Sequence, residues 1–450
     1  MDINILSNEP KTWSARQNIS ARQDHWRSLA LNIINSQPHP PFMKTNHTLI
    51  AALGGYLILS SVYSIYAEDW PQWRGPNRDG KISGFSAPEK WPASLNQKWK
   101  TTVGSGDSTP ALVGDKLYVF ARQGGEEIVQ CLNIADGKEV WQSKYEAQAV
   151  TGAAARHPGP RSTPAVANGK IVVLGVGGVL SCLDASSGKL VWRKDEYPKV
   201  VPRFFTSFSP IITDGMVLAH LGGQGNGALM AFDLNSGDIK WKWAAEGPAY
   251  ASPIIITVEG VKQVVTLTEK NVVGVGLSDG KSLWQIPFAP QGMAYNAATP
   301  IFDGQTIYYT GQGRGTKAIK LEKQGDTFSP KELWNNPLTV QYNSPVLKDG
   351  FLYGLSDKAQ LFCINAKTGE TTWTDTAKRG GNFCSIVDVG SQLIALPSTS
   401  ELIIYKPGES QFSEVAKIKV AGSPTYAHPL FAGKNIFIRD QDSVAMYMVE

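Results

Sequence analysis

This sequence predicts an all-β fold, an eight-bladed β-propeller of four-stranded antiparallel blades, and three observations carry the prediction. Its apolar residues fall in short runs of Val, Ile, Leu and Tyr separated by turn residues, with 44 Gly and 27 Pro among 450 residues. A Ser/Thr-Pro marker recurs at Pro110, Pro164, Pro210, Pro253, Pro300 and Pro345, at intervals of 43 to 54 residues. A tryptophan recurs at one phase of the same unit, as Trp141, Trp192, Trp241, Trp284 and Trp373, and Trp334 reaches that phase after a longer insert. That period is the length of one propeller blade.

Each unit reads as an inner strand opened by the marker proline, a Gly-containing turn, further apolar strands, and a hairpin that leads to the tryptophan. Proline at the start of an innermost strand removes no ladder hydrogen bond. Hairpins such as Asp184 to Gly188 supply an Asx cap and a glycine for positive φ. Two weaker markers, Ser385-Ile386 and His428-Pro429, bring the count to eight. The last unit stops before any tryptophan, whereas Trp99 stands ahead of the first marker. A strand carrying Trp99 is therefore expected to complete the last blade and remove the free edges of the ring. Trp99, Trp141, Trp192, Trp241, Trp284, Trp334 and Trp373 are expected to act as packing wedges between sheets. The propeller is placed at residues 99–450, and residues 68–98 are expected to pack on it.

The one long apolar run, Leu49 to Ala67, follows Met43-Lys44 and precedes Glu68-Asp69, which reads as a signal peptide over residues 43–67. Residues 1–42 are polar and poorly periodic. They read as a misassigned or disordered extension, with Met43 as the true start. The body is then exported, periplasmic or secreted, and touches a membrane only if the leader stays uncleaved. Residues 1–67 hold five basic and three acidic side chains, so the remainder carries 38 basic against 36 acidic. That balance does not suggest a nucleic-acid binder, and none is expected. Cys131, Cys182 and Cys363 share one repeat phase in different blades and are expected to be buried free thiols.

The segments Ala135 to Trp141, Ala185 to Trp192 and Ala366 to Trp373 resemble the tryptophan-docking repeat of the quinoprotein-type family, which includes PQQ dehydrogenases and BamB. The resemblance covers essentially the whole exported body. The opening Asp69 to Gly80 also resembles secreted PQQ-like repeat proteins of planctomycete-type bacteria. For function the family implies either a non-catalytic interaction propeller, as BamB is, or a PQQ-dependent oxidoreductase.

Candidate binding residues come from position in the repeat. The connection into each innermost strand crosses one face of the disc beside the axis, where propeller ligands usually bind. Those connections carry Asp107; Arg156, His157 and Arg161; Arg203, Phe204 and Phe205; Tyr250; Tyr295 and Asn296; Tyr342 and Asn343; Asn382 and Phe383; and Tyr426 and His428. Arg, Tyr, Asn and His recognise anionic or hydrogen-bonding groups and peptides.

A dehydrogenase of the family implies a carboxylate base, Ca²⁺ held by several oxygens and often adjacent cysteines. This set supplies one carboxylate and the chain has no Cys-Cys pair. Cys-x-x-Cys-His is absent too, the Gly-x-Ser-x-Gly spacing of Gly276 to Gly280 falls in a repeat hairpin turn and reads as structural, and His157, His220 and His428 are too scattered to predict a metal cluster. The leading expectation is a monomeric, non-catalytic scaffold for an envelope protein or polymer, with no catalytic residue, metal or cofactor. Two alternatives stand beside it. One is a quinoprotein oxidoreductase using PQQ with Ca²⁺, in which Arg161, Arg203, Tyr295 and Asn296 hold the anionic quinone. The other is a carbohydrate or small-ligand binder using Tyr250, Tyr295 and Tyr342.

Overall fold

The computed structural model describes residues 69–292 and 294–449. The signal peptide expected at 43–67 and the extension before it lie outside the described residues. Eight four-stranded antiparallel sheets follow one another as blades. Blades 1 to 7 occupy residues 111–146, 165–194, 211–243, 254–287, 301–336, 346–374 and 384–419. Blade 8 takes three strands from residues 430–448 and its outermost strand, Asn96–Thr102, from the other end of the chain. Trp99 pairs with Met446 across that closure. The chain is an eight-bladed β-propeller, as the repeat predicts.

Between blades the core is aliphatic. Val172 of blade 2, Leu218 and Ala231 of blade 3 and Val264 of blade 4 share one buried cluster. The repeated tryptophans sit at the outer part of this packing, and the geometry explains two features of the repeat. First, in each of blades 1 to 6 the outermost pairing has a register shift at the tryptophan phase, so the bulge turns the ring out of the ladder and toward the next blade. The residue directly opposite the ring is small: Cys131, Cys182, Ala231, Gly274, Ala318 or Cys363. The cysteines of that phase are buried and free, and burial raises all three thiols.

Second, the ring lies on the hairpin glycine of the following blade. A Cβ on Gly188 would stand 2.3 Å from the Trp141 ring, and one on Gly237 would stand 2.8 Å from Trp192. Five of the seven indoles donate their N–H to a carbonyl in the next blade: Trp99 to Ile134, Trp192 to Leu234, Trp241 to Leu277, Trp334 to Ala366 and Trp373 to Gly408. Trp284 turns to Gln263 of its own blade, because the hairpin of blade 5 is longer and offers no equivalent turn. The Trp141 N–H has no partner among the described residues. Replacing Trp192 by Phe keeps a buried ring and loses the bond to Leu234 O; the expected cost is about 1–2 kcal/mol, read as a lower urea midpoint. An unchanged midpoint would show that the bond contributes nothing.

Candidate functional site

Ring closure near the axis rests on the hydroxyl of the marker. Thr163 N donates to Ser209 Oγ, Ser209 N to Ser252 Oγ, Thr299 N to Ser344 Oγ and His428 N to Thr109 Oγ1. Each of these bonds joins one blade entry to the next. The serine or threonine before the proline thus satisfies a backbone donor that an all-apolar entry would leave unpaired.

The axis itself is filled by residues 69–86, which touch the entry or inner strand of every blade. Trp70 bridges Leu112 of blade 1, and Pro71 accepts from Val166 N of blade 2. Arg78 donates to Ser209 O and Pro210 O at blade 3 and to Pro253 O at blade 4. Trp73 Nε1 donates to Thr299 Oγ1 at blade 5, and Arg74 donates to Ser344 O and Pro345 O at blade 6. Gly80 and Ile82 pair with Asp388 of blade 7, and Ser86 N reaches Gly433 O of blade 8. Both guanidiniums are almost fully buried, at 1% and 3% exposure. Burial pulls Arg74 down to about 10; burial and the neighbouring charge of Arg74 pull Arg78 down to about 9, so both stay charged at neutral pH. Backbone carbonyls take the place of a carboxylate counter-ion.

Above this plug the inter-blade connections enclose a blind funnel of about 320 Å³. Trp73 lines it from below and meets His428 edge-on at 4.8 Å. Burial, and secondarily the Arg74 charge, pull His428 to about 3, so its imidazole is neutral. Two aromatic walls rise from the floor. Phe204, Tyr250 and Tyr295 form one, with ring centroids 4.9 to 6.2 Å apart. Tyr342, Phe383 and Tyr426 form the other: the first two stack at 4.3 Å and the last meets Phe383 at 5.1 Å.

The longest marker interval, from Pro110 to Pro164, contains a 3-10 turn at Gly152–Arg156 whose Ala153 and Ala154 also line the funnel. This insertion carries His157 over to Tyr426, 4.8 Å away, and to Asp107, whose Oδ2 lies 2.8 Å from Nδ1. Arg161 ties two rim loops together by donating to His157 O and Phe204 O. Phe205 holds φ at +65°, an uncommon conformation for a bulky side chain that costs about 1–3 kcal/mol. It is fixed by its own N–H on Pro202 O and by Thr206 N on Val176 O, and Phe204 is thereby aimed into the funnel.

Of the candidate residues, His157, Arg161, Tyr250, Tyr295, Tyr342, Asn343 and His428 line this cavity. Asn343 is nonetheless spent on Leu355, whose N–H and C=O it bonds at once. Four others lie away from it. Arg156 is exposed, and Arg203 is exposed with its guanidinium 5.3 Å from the Phe204 ring. Asn296 is buried on Thr268 O, Phe288 O and Arg314. Asn382 donates to Gln341. Sequence reasoning missed Trp73, Arg74 and Arg78. The available signal was a segment outside the repeat phase that concentrates Trp, Arg, Gly and Pro between Trp70 and Gly80.

A closed eight-bladed disc with inter-blade tryptophans, a plugged axis and an aromatic funnel above the plug defines a quinoprotein-type repeat propeller. Within that class the chain belongs to the family described as outer membrane protein assembly factor BamB, whose model matches residues 125–375. It is 23% identical over 347 residues to the outer membrane protein assembly factor BamB of Moranella endobia, covering 73% of this chain and 82% of that protein. The fold is that of BamB from Moraxella catarrhalis, with a TM-score of 0.60 at 15% identity over 79% of this chain and all of that one. It is also that of a europium-containing methanol dehydrogenase, with a TM-score of 0.64 at 12% identity over 82% of this chain and 89% of that one.

Proposed function

We propose that the chain is a non-catalytic interaction protein of the bacterial envelope, a monomer that presents its funnel face to a partner protein or polymer. The observation that carries this reading is the pair of aromatic walls over a sealed floor, a concave surface of the kind that anchors a ligand. Membership of the BamB family and the leader-like residues 43–67 support the envelope setting.

The residues do not fit a quinone with its calcium. Each Nη of Arg161 is tied to a loop carbonyl, Arg203 and Asn296 lie outside the cavity, and Asp107 is its one carboxylate. Among the described residues no three His, Cys, Asp or Glu converge as a metal site. The likeness to the europium-containing methanol dehydrogenase is one of fold.

The test places a photo-cross-linker at Phe383, on the funnel rim, and at Asp349, in an inner hairpin turn on the opposite face. Adducts are expected at Phe383 and not at Asp349, and the double variant Tyr295→Ala/Tyr342→Ala should remove most of them while leaving the circular dichroism unchanged. Equal adducts from both faces, or adducts indifferent to the double variant, would sink the reading.

A further inference from the structure

We infer that the funnel takes the end of a neutral glycan, one glycosyl unit deep; this deepens the reading of the funnel as the binding face and rests on it. The argument begins with what the axis forbids. Trp73 and the two buried arginines occupy the channel, so a polymer cannot thread the disc and has to enter by its end.

Charge then narrows the class. An anionic ligand wants an unpaired cation, and the Arg161 guanidinium, tied by one N–H of each Nη to Phe204 O and His157 O, already lies in the field of the Asp107 carboxylate. A cation would find aromatic faces, but the Asp107 carboxylate already bonds His157 and lies in the field of Arg161 and Arg439. What the site favours is uncharged.

The remaining groups fit a sugar ring. Its apolar C–H face stacks on Tyr295 and Phe204 or on Tyr342 and Phe383, and its hydroxyls both donate and accept. Matching partners are left over by the fold. The hydroxyls of Tyr295, Tyr426 and Ser385 make no hydrogen bond among the described residues, and Asp107 uses only Oδ2. An extended peptide brings one N–H and one C=O per residue, and these walls offer rings and single hydroxyls in place of a row of backbone groups.

The test is calorimetric titration of the purified chain with neutral gluco-, xylo-, manno- and chito-oligosaccharides, beside a galacturonate oligomer and a tyrosine-rich peptide. At least one neutral oligosaccharide is expected to saturate. Tyr295→Ala or Tyr342→Ala should weaken it by about tenfold or more, and Tyr426→Phe, which removes one hydroxyl, by several-fold. No neutral saccharide binding at millimolar concentration, binding of the galacturonate alone, or binding that the variants leave intact would overturn the inference. If the peptide binds or the Phe383 cross-links persist while every saccharide fails, the glycan class falls and the funnel reading stands. Saccharide binding indifferent to all three variants would remove the funnel from both.

Discussion

Replacing Arg78 by alanine is expected to lower the unfolding free energy by about 3 kcal/mol. The side chain donates to Pro253 O at 2.6 Å, Ser209 O at 3.1 Å and Pro210 O at 3.2 Å, and at 3% exposure no water replaces it. Each buried acceptor left without a donor costs about 1–3 kcal/mol. The sum is reduced because alanine no longer keeps a charge out of water, and because the repulsion from Arg74 disappears. Arg74→Ala strips Ser344 O and Pro345 O in the same way. The two losses are expected to be less than additive in a double-mutant cycle, since either one undocks the same segment from the same axis. Arg78→Lys keeps the charge but not the planar fork, and should recover less than half of the loss. Denaturant unfolding of the wild type and these four variants measures all of this. Fully additive losses would mean that the two arginines act as independent ties, with no plug behaving as a unit.

The contrast between blades and plug marks how far the sequence was readable. A blade is a local pattern repeated: a hydroxyl and proline at the entry, an aliphatic alternation, a glycine hairpin and a tryptophan, with each residue type set by a neighbour one blade away. Such a pattern survives in one dimension, so eight blades and the closure by the Trp99 strand could be read off. The funnel was legible only by position. Knowing that the entries cross one face identifies Tyr250, Tyr295 and Tyr342 as neighbours, but not that Arg161 is tied to two carbonyls or that Asn296 is buried under Arg314. Those outcomes depend on the local path of single loops, among them the positive φ of Phe205. The plug was illegible because its contacts lie 131 to 271 residues away, at backbone carbonyls that carry no sequence signature.

Acidification from pH 6.5 to pH 4 is expected to remove stability in steps that belong to two histidines. His220 and His428 are buried and neutral. Burial pulls His220 to about 4 against the opposing hydrogen bond to Glu246 O, and burial with the Arg74 charge pulls His428 to about 3. In the unfolded chain both titrate near 6.5, so between 6.5 and 4 the unfolded state binds protons that the fold refuses. Stability therefore rises with pH through this window and is lost as pH falls, by up to about 3 kcal/mol for each histidine at pH 4. Glu127 acts the other way. Burial raises its carboxyl, which favours the fold as pH falls through the range above its ordinary value. Comparing the pH dependence of the urea midpoint in the wild type with His220→Gln and His428→Gln cancels the Glu127 contribution, which all three share. A slope unchanged in both variants would show that neither imidazole is held neutral. A flatter slope in His428→Gln ties the effect to the axis. A proton there sets a third cation beside Arg74 and Arg78 and against the Trp73 ring, so acid loosens the plug and the funnel floor together.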